Sequence, residues 1–85
     1  ASGNKFPAMA ESFYDGLGGD TNVTNVDNCV TRLRNEVDDM DAVDQNKIKS
    51  TGIPGINIVG KHSIQVIVGT NVQFVADEMR KIRKE

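Results

Sequence analysis

The stretch Thr31-Arg32-Leu33-Arg34-Asn35-Glu36-Val37 decides the architecture of this chain. In an extended backbone, Thr31, Leu33 and Val37 fall on one side, and Arg32, Arg34 and Glu36 on the other. A strand with one apolar and one charged face suits an antiparallel sheet covered on one side only. Immediately before it, Asp27-Asn28-Cys29-Val30 reads as a turn that carries the single cysteine.

Outward from this strand, Val23 to Asp27 reads as a short strand of poor alternation. Ile56 to Gly60 and Ile64 to Val68 read as two more, joined around Lys61-His62-Ser63. Ile64, Val66 and Val68 share one face, and Gln65 and Ile67 the other. Short links between paired strands imply antiparallel hairpins.

Three helical patterns complete the chain. Phe6, Met9, Ala10, Phe13, Tyr14 and Leu17 recur at helical steps, and Gly18-Gly19 supplies a stop. Asp44 has the character of an N-cap, with Val43 and Ile48 as a hydrophobic staple, and that short helix ends by Gly52. Thr70 and Gln73 match a capping box ahead of the stripe Val72, Val75, Met79 and Ile82. The basic end Arg80-Lys81-Arg83-Lys84 suits a helix C-terminus. Asp38-Asp39-Met40-Asp41 reads as loop.

The expected order is α-β-β-α-β-β-α. The expected fold is α+β, a two-layer sandwich with a four-stranded antiparallel sheet and three helices on one face. Arg32 and Arg34 would stand on the open face, joined by Gln65. Residues 1–4, Ala1-Ser2-Gly3-Asn4, read as linker or cloning remnant, and residues 5–85 as one domain.

Composition narrows the function. A chain of 85 residues makes one small domain that buries roughly 60–65% of its unfolded surface. A formal net charge of −2 gives no reason to expect nucleic acid as a partner. One cysteine makes no internal disulfide, and with one histidine, His62, it is too few for a structural zinc site. The acidic run lacks the glycine and terminal glutamate of a calcium loop. No metal or cofactor is implied. The apolar runs are too short to span a membrane.

Cys29 lies beside two arginines, and fixed positive charge next to a thiol favours the nucleophilic thiolate. Residues two apart on a strand lie about 7 Å apart on the same face. Arg32 and Arg34 are therefore placed to hold the oxygens of a phosphoryl group, helped by the Val30 and Thr31 N–H groups if the turn forms an anion nest. Phosphoryl transfer needs positioning and charge stabilisation rather than a general base. A lone cysteine is more commonly a buried hydrophobe, and alternating arginines are more commonly a solvated face. Cysteine phosphatases place five residues between cysteine and arginine, whereas four separate Cys29 from Arg34. A thioredoxin-like site would need a second cysteine. His62 reads as an ordinary solvated turn residue.

Leu17-Gly18-Gly19, Asp27-Asn28-Cys29-Val30-Thr31-Arg32-Leu33-Arg34, Val43-Asp44-Gln45 and Ile64-Gln65-Val66-Ile67-Val68-Gly69 together resemble the glucose-type B domain of enzyme II. That family belongs to the bacterial phosphoenolpyruvate-dependent sugar phosphotransferase system. The resemblance runs from about Phe13 to the C-terminus. It departs from the family pattern at Ser50 to Gly55, which is richer in proline, and at His62, where a small residue is common.

The resemblance implies a phosphotransferase in which Cys29 takes a phosphoryl group from a phosphohistidine on the A component. Cys29 then passes it to a sugar bound in the membrane-embedded C component. It implies that Arg32 and Arg34 serve the onward transfer, with Thr31 beside the phosphocysteine and Gln65 on the last strand. Asp27 and Val30 belong to the same motif as supporting positions. It further implies a longer polypeptide and a place on the cytoplasmic side of the membrane. The alternative is a phosphorylation-dependent docking domain for a regulator, with no transfer to sugar.

Overall fold

The computed structural model describes residues 5–84. Helix α1 spans Phe6–Gly16, strand β1 Val23–Asn28, strand β2 Arg32–Val37, helix α2 Gln45–Lys49, strand β3 Gly55–Ile58, strand β4 Ser63–Ile67 and helix α3 Val72–Arg83. The four strands form an antiparallel sheet in the order β1-β2-β4-β3. The element order and open sheet are those expected from the sequence.

The alternation in β2 separates core from solvent as expected. Leu33, Asn35 and Val37 are buried, and Arg32, Arg34 and Glu36 are exposed. Phe13, Leu17, Ile48, Ile64, Val66 and Met79 meet the inward residues of β2 in one core between sheet and helices. Burying each such side chain stabilises by about 1.5–3 kcal/mol.

The poor alternation of β1 has a local cause. Its register against β2 shifts between Val23 and Asn25, and this irregularity lets Val23 and Val26 both face the core. Arg83 at the end of α3 donates to the carbonyls of Val23 (2.8 Å) and Thr24 (3.2 Å) across the same irregularity.

Two glycines are required by their surroundings. A Cβ at Gly16 would lie 2.6 Å from Ile48 Cγ1, so only glycine lets the end of α1 approach α2. Gly18 has φ +106°, which ends α1 in a left-handed turn. Asp44 caps α2 as expected, its carboxylate accepting from the Lys47 N–H at 3.1 Å.

Several sequence expectations shift. The N-cap of α3 is Asn71 and makes no side-chain cap bond, so the Thr70–Gln73 capping box does not form. With the helix starting at Val72, Gln73 is the second helical residue and cannot reach back to Thr70. Its amide instead donates to Asp77 at 2.9 Å. The last two strands each begin and end one or two residues earlier than expected. Val68 and Gly69 leave the ladder because their N–H groups both bond to the Thr31 carbonyl. Part of the acidic run forms a 3-10 turn, Met40–Ala42, with the Asp39 carboxylate accepting from the Asp41 N–H. The linker expectation for residues 1–4 lies outside the described residues.

Candidate functional site: an exposed thiol beside an arginine pair

The hairpin between β1 and β2 is closed by Cys29-Val30-Thr31-Arg32. The Cys29 N–H donates to the Arg32 carbonyl at 2.9 Å, and its Sγ lies 3.8 Å from that oxygen. Cys29 is exposed. It therefore lacks the burial that would explain it as a core hydrophobe. Val30 is 82% exposed at the tip of the turn.

Thr31 is half-buried and anchors the turn to the neighbouring strand. Its carbonyl accepts from Val68 N (3.0 Å) and Gly69 N (2.9 Å). Among the described residues, no hydrogen bond engages the N–H of Val30 or Thr31.

Arg32 and Arg34 share the open face of the sheet. Arg32 Nη1 donates to Gln65 Oε1 at 2.9 Å, so the expected meeting of Gln65 with the arginines is made by a side-chain hydrogen bond. Gln65 stands opposite Arg34 in the ladder, and Asp27 stands opposite Arg34 on its other side. Among the described residues, the Arg34 side chain makes no hydrogen bond or ion pair. Neither Asp27 nor Glu36 forms an ion pair with either guanidinium, and among the described residues the hydrogen-bond partner of the Arg32 guanidinium is a neutral amide. Arg34, Gln65, Asn25, Asp27 and Glu36 line a shallow polar pocket of about 220 Å³ on this face. Two guanidiniums without ion pairs among the described residues, on the strand that follows an exposed thiol, can receive an anionic group.

The charge of Asp27 is directed elsewhere. Its Oδ1 accepts the Asn28 N–H at 2.8 Å and lies 3.6 Å from Arg80 Nη2 on α3. As a carboxylate it offers no donor to a phosphoryl oxygen.

Sequence reading missed the residues that back the turn from the helix side. Asn28 Nδ2 donates to the Cys29 carbonyl (3.1 Å) and to Gln73 Oε1 (3.3 Å), while its Oδ1 accepts from Arg80 Nη2 (3.4 Å). Gln73 and Arg80 come from a helix more than forty residues away. Nothing in the local pattern signals their convergence on Asn28. His62 lies apart, its Nδ1 3.0 Å from the Val37 carbonyl at the far end of β2. That end is roughly 17 Å along the strand from Arg32.

Known proteins place the chain in a family. The family model for phosphotransferase system EIIB matches residues 11–44, which include Cys29, Arg32 and Arg34. The chain is 39% identical over 85% of its length to the N-acetylglucosamine-specific EIIB component of Streptomyces coelicolor, of which it covers 92%. It is 46% identical over 76% of its length to the N-acetylglucosamine-specific EIICB component of Bacillus subtilis, and spans 14% of that longer protein. It also spans 14% of the maltose-specific EIICB component of Escherichia coli, at 41% identity. Among solved structures, one domain of a phosphotransferase-system IIabc component from Clostridium difficile superposes with a TM-score of 0.83. That match has 28% identity and covers 92% of this chain and 82% of the other. The chain belongs to the EIIB family of the phosphotransferase system.

Proposed function

We propose that this chain is the phosphoryl-carrying domain of a sugar transporter, with Cys29 as the carrier. The observation that carries the reading is the exposed Cys29 turn followed by Arg32 and Arg34, neither of them ion-paired to a carboxylate among the described residues.

In the first step the Cys29 thiolate attacks the phosphorus of a phosphohistidine on an A component. The S–P bond forms as the N–P bond breaks, and the electron pair returns to the imidazole, which takes up a proton. In the second step a sugar hydroxyl attacks the same phosphorus and loses its proton. The S–P bond breaks, and sulfur leaves as thiolate. Arg32 and Arg34 stabilise the peripheral oxygens chiefly in the second step, as the S–P bond loosens toward the sugar. The N–H groups of Val30 and Thr31 supply further donors. Gln65 holds the Arg32 fork in place.

The relatives' names support a wider setting. They include EIICB and EIICBA components, in which B occurs in one polypeptide with C, or with C and A. On this reading the chain works beside a membrane-embedded C component, on the cytoplasmic side, within a longer polypeptide. No described helix is long and apolar enough to cross a membrane. Relatives are named for N-acetylglucosamine, maltose and glucose, so the acceptor chemistry they share is a sugar hydroxyl.

The test is intact-mass analysis after incubation with phosphoenolpyruvate, the general phosphocarrier proteins and an A component. One phosphoryl group should appear on wild type and none on Cys29→Ser, because a serine hydroxyl is not ionised at neutral pH as a thiol can be. Label retained by Cys29→Ser would overturn the assignment.

A further inference from the structure

Helix α3 contributes a closed ring of polar contacts behind the Cys29 turn. Asn28 Nδ2 donates to Gln73 Oε1 at 3.3 Å, and Gln73 Nε2 donates to Asp77 Oδ1 at 2.9 Å. Arg80 Nη1 donates to Asp77 Oδ1 at 3.4 Å, and Arg80 Nη2 to Asn28 Oδ1 at 3.4 Å, which closes the ring. The ring reaches the turn itself through the bond from Asn28 Nδ2 to the Cys29 carbonyl. Arg80 also lies 3.6 Å from Asp27 Oδ1.

The two carboxylates have a chemical consequence. A phosphoryl group on a side chain brings a charge of about −2. A bare carboxylate at Asp27, two positions before the sulfur, would repel both that group and an incoming phosphoryl donor. Arg80 is the cation that meets Asp27; its side chain is 29% exposed and that of Asp27 64%, so the pair is screened on the Asp27 side and partly sheltered on the Arg80 side.

We infer that Gln73, Asp77 and Arg80 form a positioning clamp for phosphoryl transfer, in which Arg80 covers the charge of Asp27 and holds Asn28 against the Cys29 turn. The inference rests on the reading of Cys29 as a phosphoryl carrier. Arg80 does not touch the phosphoryl group; it acts through Asp27 and Asn28. A surface ion pair with no such role would contribute only about 0–1 kcal/mol to stability, and losing Arg80 would then change the field at the sulfur equally with or without the Asp27 charge.

The experiment compares wild type with Arg80→Gln, Arg80→Lys, Asp27→Asn and the double variant Asp27→Asn/Arg80→Gln, each checked for fold by circular dichroism. The first readout is the ratio of Cys29 alkylation rates with anionic iodoacetate and neutral iodoacetamide. This ratio senses charge near the sulfur and needs no partner protein. Arg80→Gln should lower it about two- to threefold, the size of one extra charge acting through a watery surface. Arg80→Lys should keep the wild-type ratio. The drop should shrink by more than half when Arg80→Gln is made in the Asp27→Asn background. Should Arg80→Gln fail to fold, Asp27→Asn still tests the clamp: it leaves Arg80 with Asp77 as its carboxylate partner and should raise the ratio, and an unchanged ratio overturns the clamp.

The second readout is phosphoryl acceptance. Arg80→Gln should lower kcat several-fold with little change in KM for the donor, and Arg80→Lys should restore it. An unchanged alkylation ratio, or a drop equally large in the Asp27→Asn background, overturns the clamp by itself. A wild type that accepts no phosphoryl group overturns the carrier reading, and the catalytic role of the clamp with it.

Discussion

The two faces of strand β2 are made by alternate residues of one six-residue segment and have opposite properties. Inward, Leu33, Asn35 and Val37 are all but sealed from solvent, with Leu33 at 0% and Asn35 at 2% exposure. Outward, Arg32 and Arg34 are exposed, and among the described residues neither forms an ion pair with a carboxylate. Stability and chemistry are thus separated by side-chain direction and not by distance along the chain. Substitutions at neighbouring positions should therefore change different observables.

The largest effect should come from the inward face. Leu33→Ala removes a fully buried side chain beneath the helices and should cost about 2–5 kcal/mol, read as a lower urea midpoint. Phosphoryl acceptance per folded molecule should stay near wild type. A large loss of acceptance in the folded fraction would break the separation of the faces.

The outward face should respond the other way. Arg32→Lys or Arg34→Lys keeps the charge but loses the planar fork. Each should leave the unfolding free energy from urea denaturation within about 0.5 kcal/mol of wild type, as surface changes generally do. Transfer to sugar should slow by about 3–4 kcal/mol, roughly a hundred- to thousandfold. Acceptance from the histidine donor should survive, because it relies mainly on the thiolate and the turn N–H groups. Labelled phosphate on the protein beside labelled sugar phosphate in the medium separates the two half-reactions. Wild-type sugar phosphorylation by both lysine variants would remove the arginines from the mechanism.

Asn35 sharpens the comparison from within the core. Its Nδ2 and Oδ1 are buried, and among the described residues neither has a hydrogen-bond partner. Buried and unsatisfied polar atoms cost about 1–3 kcal/mol. Asn35→Leu should therefore raise the unfolding free energy by that order, read as a higher urea midpoint, without altering phosphoryl transfer. A destabilised Asn35→Leu would mean that the site is too tightly packed for the branched side chain.

The smallest effect belongs to Tyr14, on the helical side of the same core. Burial, and then its hydrogen bond to Asp20, raise its pKa above the ordinary 10.0. The folded protein then holds this proton more firmly than the unfolded chain does. Its contribution to stability is complete below pH 10.0 and is lost as pH rises through the higher folded-state value. Tyr14→Phe should cost about 1 kcal/mol at neutral pH, through loss of the hydrogen bond, and should flatten the alkaline decline. Denaturation midpoints collected between neutral and strongly alkaline pH will show whether the slope depends on Tyr14.

Much was legible in the sequence because it depends on local periodicity. The alternation of Arg32 to Val37 and Ile64 to Val68, the Asp44 cap and the glycine stop at Gly18 each use neighbours within a few residues. Residues two apart on a strand share a face whatever the rest of the chain does, so the arginine pair was assigned correctly to the open side. The irregular β1 was harder to read, since its register shift is set by pairing with β2 and not by its own composition.

The tertiary structure decided what sequence spacing cannot encode. The start of α3 depends on where the chain leaves β4, which two hydrogen bonds to Thr31 determine, so the capping box expected at Thr70 and Gln73 does not form. The convergence of Asn28 with Gln73 and Arg80 follows from packing α3 against β1, as does the pairing of Asp27 with Arg80 rather than Arg34. Such contacts join residues about fifty positions apart, and only the closed core brings them within hydrogen-bond distance.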